Sequence, residues 1–352
     1  MKDINLEFFK NLVESHGVSG FEQEIQKIYR KFVSPYSDKI ETDIHGNVYA
    51  IKNGKSDFKL MICGHADEVG LMVNYITDKG FVYFKAVGGI DPTILPGQRV
   101  EIFHRNQKVR GIIGRKAVHL ISPTERNNAP KIADLWIDIG AKSKEDAEKK
   151  IAIGDYVTFS PGMEILNDDI IVSKSTDNKV GVYIAAMVLK ELKDENIDIN
   201  LFSVSAVQEE VGLRGSTTSA YNIKPDAAII IDVTHATDYP GITKSKAGDI
   251  SLGKGPAIAI GASINPRIYD ILIETCEKNK IDFQIEPTPS RSGTDTDAIQ
   301  ISRGGVATGL LSIPNRYMHT PGEVISLKDV DDTVKLLVNF VKNLKADVNL
   351  IP

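Results

Sequence analysis

Hydrophobic and polar positions follow two periods along this 352-residue chain, and the change of period divides it in three. At the start, "NLEFFKNLVES" and "GFEQEIQKIYRKFV" carry apolar residues at helical spacing. Ser19 followed by Glu22 reads as a capping box for the second helix. "KIETDIHGNVYAIKNG" predicts a hairpin turning near His45-Gly46-Asn47, and "KLMICGHADEVG" a buried strand that runs out into polar residues. From about residue 68 to 160 the segments shorten and alternate: "GLMVNYITDKGFVYFKAVGG", "GQRVEIFHRNQKVRGIIG", "GDYVTFSP". That texture predicts short antiparallel strands in a small barrel or sandwich, interrupted by one helix, "SKEDAEKKI". Past Pro161, apolar strands alternate with amphipathic helices up to the closing helix "LKDVDDTVKLLVNFVKNLK".

The expected fold is α/β: a mixed, mostly parallel sheet covered by helices on both faces, with a β-rich segment inserted. Residues 1–67 and 161–352 would form one domain and residues 68–160 the other. Composition leaves this intact, since 42% hydrophobic and 25% charged residues are ordinary for a soluble globular chain. No apolar run reaches membrane-spanning length, and the charged, helix-patterned N-terminus does not resemble a signal peptide. Two distant cysteines, Cys63 and Cys276, argue for a reducing cytoplasm rather than a disulfide framework. A net charge of −5 without a basic block excludes nucleic acid or an anionic membrane as the main partner.

Chemistry concentrates where strands end. "MICGHAD" leaves its strand at His65 and Asp67, "IIVSKSTDN" at Asp177, "VSAVQEE" at Glu209 and Glu210, "AIIIDVTHA" at Asp232 and "LLSIPNRYMHT" at His319. The C-terminal edge of an open α/β sheet is where ligands bind. Carboxylates gathered there repel unless a cation lies among them, and imidazole with carboxylate suits zinc, cobalt or manganese. Each residue taken singly has a plainer explanation. His65 serves as a hydrogen-bonded structural histidine, Asp177 as a helix N-cap, Asp232 as a turn residue, the two glutamates as a solvated edge and His319 as surface. Five successive strand ends weigh against coincidence. The remaining histidines fit the pattern less well: His45 sits in a turn, His16 before a glycine stop and His104 in a charged strand. His235 follows Asp232 closely and His119 belongs to the insert.

The order His-x-Asp, Asp before a helix, Glu-Glu, Asp and a late His resembles the dinuclear zinc exopeptidases. His65 and Asp177 stand 112 positions apart, so the insertion lies between the first and second ligands. This placement resembles the tetrahedral aminopeptidase family, which includes glutamyl and deblocking aminopeptidases, as do "GHADEVG", "STDNKVG", "QEEVGLRG", "SGTDTDAIQ" and "SIPNRYMHTPGE". The resemblance implies two divalent metal ions per subunit, Zn2+ or Co2+. His65, Asp177 and Asp232 would hold one, and a bridging Asp177 with Glu210 and His319 the other. It further implies Glu209 as general acid/base, Asp67 as the residue holding the His65 tautomer, and short peptides as substrates. The 68–160 insert would mediate dimerisation, and the dimers would assemble into a dodecamer.

A glycoside hydrolase of endoglucanase type is the rival reading, because paired carboxylates roughly 5–9.5 Å apart are also its tools. It leaves two histidines without a task, and a single tryptophan, Trp136, is a thin sugar platform. Arg291, Ser292, Asp295 and Asp297 fall in a loop that in the family approaches the specificity pocket. Arginine there favours acidic substrates and aspartate basic ones, or the loop simply caps a 295–301 helix.

Overall fold

The computed structural model describes residues 5–122, 128–160 and 162–352. The boundary expected at Pro161 and part of "KAVHLISPTER" lie outside them.

The N-terminal hairpin forms as expected, from β1 (Lys39–Thr42) and β2 (Val48–Lys52), followed by β3 (Lys59–His65). The alternating segment supplies β4 (Gly70–Ile76), β5 (Val82–Val87), β6 (Arg99–His104), β7 (Gln107–Gly114), β8 (Trp136–Asp138) and β9 (Tyr156–Phe159). These close into a barrel in the order β4-β5-β8-β7-β6-β9. Its interior is apolar, with Leu71, Val73, Val82, Phe84, Ile102 and Val157 buried. Closure removes the free edges that six short strands would otherwise expose.

Past the barrel come β10 (Glu164–Asn167), β11 (Ile170–Ser173), β12 (Asn200–Ala206), β13 (Ala227–His235), β14 (Ala257–Gly261), β15 (Gln284–Thr288), β16 (Ala307–Asn315) and β17 (Glu323–Ser326). The main sheet runs β1-β2-β12-β3-β13-β16-β14-β15. Its centre, β12-β3-β13-β16, is parallel, so these four strands end at one edge. The pairs β1–β2, β2–β12 and β14–β16 are antiparallel. The sheet is therefore mixed, with parallel pairing concentrated where the chemistry lies.

One expectation needs correcting. The strand before Asp177, β11, does not belong to this sheet; it pairs with β10 and β17 in a separate three-stranded sheet. Helix Thr176–Glu191, not strand register, brings Asp177 to the edge. That helix is buried on all sides, as an all-round apolar helix must be. Helices Leu6–Glu14, Gln23–Val33 and Leu327–Asn343 pack over it. Two glycines allow it to touch the sheet. A Cβ on Gly64 of β3 would stand 2.4 Å from the carbonyl carbon of Gly181, and one on Gly181 would stand 2.7 Å from the Ile231 carbonyl oxygen.

The capping box also fails. Glu22 itself occupies the N-cap, without a side-chain cap. Its carboxylate accepts from the Gly20 and Gln208 amides, while the Ser19 hydroxyl donates to Asp67. Both side chains serve the site instead of the helix.

Candidate metal centre

Asp67 organises the first corner. It is fully buried. Its Oδ1 accepts from the Glu209 amide at 2.9 Å, and its Oδ2 from the Glu210 amide at 3.1 Å and the Ser19 hydroxyl at 2.7 Å. His65 Nδ1 lies 3.1 Å from the Asp67 carbonyl and 3.3 Å from its Oδ1. Two acceptors there place the proton on Nδ1 and leave the Nε2 lone pair facing inward. Burial alone would raise the Asp67 carboxyl, but His65, Ser19 and the Glu209 amide outweigh it and hold it below its ordinary range. One carboxylate thus fixes an imidazole and the backbone of both adjacent glutamates.

Asp177 joins the two histidines. Its Oδ1 is 3.3 Å from His65 Nε2 and its Oδ2 is 3.2 Å from His319 Nε2. Around His65 stand Glu209 Oε2 at 3.7 Å and Asp232 Oδ1 at 3.9 Å; around His319 stands Glu210 Oε1 at 3.5 Å. Seven residues singled out on strand-end position in sequence therefore lie together. Glu209 stands among the nitrogen and oxygen atoms of the ligand candidates, within reach of a water held there.

Three supporting groups were not singled out by strand-end position. Glu323, fully buried on β17, accepts from the Asp177 amide, the Thr176 hydroxyl and the His319 amide at 2.8–2.9 Å. It braces the two ends of the cluster from behind. The barrel contributes as well. The Gly89 carbonyl lies 2.8 Å from His319 Nδ1, and a Cβ on Gly88 would stand 3.4 Å from that of Glu210. Ser175, Gln208 and His319 adopt left-handed φ of 58°, 57° and 60°. That is uncommon without glycine and is a habit of functional sites. The Asp177–Asn178 peptide is cis. Elsewhere, His16 pairs with Glu24, His104 with Asp155, and His119 is exposed.

The electrostatics are those of an uncompensated anionic cluster. Burial, with neighbouring carboxylates adding to it, pushes Glu209 up to about 10 and Glu210 and Asp232 to about 8. For Asp177 burial works upward too, but His319 and His65 outweigh it and hold its carboxyl low. Donor atoms of His65, Asp177 and Glu210 fall within 4.8 Å of one another, as do those of His65, Glu209 and Asp232. Mixed nitrogen and oxygen donors at this spacing fit a divalent transition-metal ion.

A mixed α/β sheet gathering imidazoles and carboxylates at its parallel edge, with a barrel inserted after the first of them, defines the class as a metallo-exopeptidase fold. The chain belongs to the M42 glutamyl aminopeptidase family, whose profile matches residues 46–336. It is 34% identical to the lysyl aminopeptidase of Pyrococcus furiosus, over 97% of this chain and 98% of that protein. It superimposes with a TM-score of 0.93 on the TET aminopeptidase of the marine sediment archaeon Thaumarchaeota archaeon SCGC AB-539-E09, at 31% identity and 97% coverage of each chain. With the Pyrococcus horikoshii TET1 peptidase, which assembles into a tetrahedron or a large octahedral shell, the TM-score is 0.86 at 30% identity, over 96% of this chain and 99% of that one. The protein is an aminopeptidase, a hydrolase of peptide bonds.

Proposed function

We propose that the chain removes N-terminal residues from short peptides with two divalent cations, zinc or cobalt. His65, Asp177 and Asp232 would hold one and Asp177, Glu210 and His319 the other. The observation that carries this is the division of Asp177, one oxygen toward each imidazole. When bound, the ions supply Lewis-acid polarisation of the scissile carbonyl and make a water more acidic. Glu209 takes the proton from the attacking water and returns it to the leaving amine. Asp67 and Gly89 position the two imidazoles, and Glu323 holds the Asp177 and His319 backbones in place. The glycoside hydrolase reading gives neither imidazole a part in the reaction.

Residues 68–160 act as the association unit and residues 1–67 with 161–352 as the catalytic unit. Ile112, Val118 and Leu120 leave apolar surface exposed on the barrel segment, which supports self-association into a dodecamer built from dimers. The two free, buried cysteines suit a cytoplasmic setting. Among the described residues no helix is long and apolar enough to cross a membrane.

The test is metal content beside peptide hydrolysis. Glu209→Gln retains its metal and loses turnover by about 10²–10⁴-fold, whereas Glu210→Gln loses one ion and recovers partly in excess metal. Glu209→Gln protein that binds less metal, beside fully loaded but inactive Glu210→Gln, would reverse the two roles. Normal turnover after complete chelation would remove metals from the reaction.

A further inference from the structure

We infer that Glu286 selects basic N-terminal residues, lysine or arginine, for this site; the inference rests on the aminopeptidase reading above. A cavity of about 340 Å³ opens from the metal cluster. Along one wall run Asp232, Thr234, Ser312 and Glu286. Strand register explains the wall. Asp232 pairs with Ser312, Ser312 with Ala257, Ala257 with Gln284 and Ala259 with Glu286. Cross-strand partners share a face, so Glu286 projects from the same face as Asp232. Ala257 and Ala259 are too small to fill the space between.

Distance suits the ligand. The Thr234 hydroxyl donates to Glu286 Oε1, and Thr234 stands two residues beyond Asp232, about 7 Å along the strand. An extended four-carbon lysine stem covers a similar span. Leu310, Met318 and Val233 line the same cavity and offer the stem an apolar path.

Charge chooses the sign. Glu286 Oε2 is buried with no hydrogen-bond partner among the described residues. A buried carboxylate oxygen left so is costly, and a substrate ammonium or guanidinium satisfies it. Burial raises the Glu286 carboxyl, while the Thr234 and Ser312 hydroxyls and the His235 ring favour its ionised form. Of the other cavity carboxylates, Asp177, Glu210 and Asp232 belong to the proposed ion sites and Glu209 is the proposed general base. No lysine or arginine among the described residues lines the cavity. Arg291, which would invite an acidic side chain, is exposed and outside it. Asp297 is engaged by the Ser292 and Gly293 amides and the Ser263 hydroxyl, and Asp295 is buried against Cys63. Asp295 Oδ1 also lacks a partner, but Asp295 does not line the cavity; the cavity carboxylate outside the metal cluster is Glu286, in "IDFQIEP".

The experiment uses the zinc- or cobalt-loaded protein against lysyl, arginyl, leucyl and glutamyl p-nitroanilides. kcat/KM should be highest for the two basic substrates. In Glu286→Gln the lysyl-to-leucyl ratio should fall about 10- to 100-fold, the worth of one charge-assisted contact; in Glu286→Arg the preference should turn toward glutamyl. Calorimetry gives a second readout free of turnover: L-lysine should bind the wild type more tightly than L-norleucine, and Glu286→Gln should erase the difference. A wild type that prefers leucyl or glutamyl substrates, or a Glu286→Gln ratio equal to the wild type's, overturns the inference and leaves the aminopeptidase reading standing. Failure to cleave any aminoacyl anilide overturns both.

Discussion

Replacing Glu68 by glutamine should destabilise the protein by about 3 kcal/mol at neutral pH, and acid should narrow the difference. Glu68 opens the inserted segment and is almost wholly buried. Its oxygens accept from Lys174 Nζ at 2.6 and 2.9 Å, Lys179 Nζ at 3.1 Å, the Gly17 amide at 3.1 Å and the Thr158 hydroxyl at 2.9 Å, with the Ser175 hydroxyl closer still. Glutamine keeps the shape and removes the one carboxylate that, among the described residues, pairs with the two ammonium groups. Breaking a buried pair from one side costs about 3–5 kcal/mol. The lower end applies, because both ammonium groups keep the Ser15 carbonyl as an acceptor. For Glu68 burial works upward, but Lys174 and Lys179 outweigh it and bring the carboxyl from 4.5 to about 2, which corresponds to roughly 3 kcal/mol. The folded value lies below the unfolded one. The stabilisation is therefore complete above pH 4.5 and lost as pH falls toward 2. Urea unfolding of chelated protein at pH 7, 5 and 3.5 keeps metal linkage out of the measurement. The gap between wild type and variant should match at the two higher values and shrink by about 1 kcal/mol at pH 3.5. An equal gap at all three, or a variant as stable as the wild type, would refute the argument.

Two further substitutions probe how the site is held. Gly64→Ala puts a methyl 2.4 Å from the Gly181 carbonyl carbon and 2.6 Å from the Val182 nitrogen. Neither backbone atom can yield alone, so a loss of about 3 kcal/mol or more and weaker metal binding are expected; an unchanged melting temperature with full metal content would contradict this. Asp67→Asn sets an amide donor against the Glu209 or the Glu210 amide whichever way it is turned. Stability should fall by about 1–3 kcal/mol and metal affinity by about 10- to 100-fold. Calorimetric metal titration checks the second figure, and wild-type affinity would show that Asp67 does not position His65.

The fold was legible where a period is long and uninterrupted. The apolar run of β3, the alternating strands of the barrel and the closing helix all declare themselves locally. What escaped is what depends on partners far along the chain. Helix Thr176–Glu191 looks like any apolar helix until Gly64 and Gly181 are seen facing each other, and β11 looks like a member of the main sheet because its length and composition match one. At the site, strand-end position singled out the residues that gather. It was silent on Glu323, a lone acid in a short strand, and on Gly88 and Gly89, which act through a carbonyl and through lack of bulk. Ser19 and Glu22 were misread because capping chemistry and long-range hydrogen bonding use the same side chains.

The position of the insertion also follows from these contacts. The end of β3 and the start of helix Thr176–Glu191 are neighbours because Gly64 and Gly181 let them touch, so a barrel placed between them joins two points already close and adds little loop-closure cost. Glu68 then ties the ends of the insert to the start of the helix. It lies just past β3, accepts from Thr158 on the last barrel strand, and binds the lysines three residues before and two residues after Asp177. A second tie runs from the barrel's far side, where the Gly89 carbonyl orients His319 and Gly88 leaves room for Glu210. The barrel is thus anchored near the first ligand candidate, around the second, and against two of the others. A shift of the barrel would therefore be felt at Asp177 through Glu68 and at His319 through Gly89, so the geometry of the cluster depends on the barrel as well as on the sheet edge.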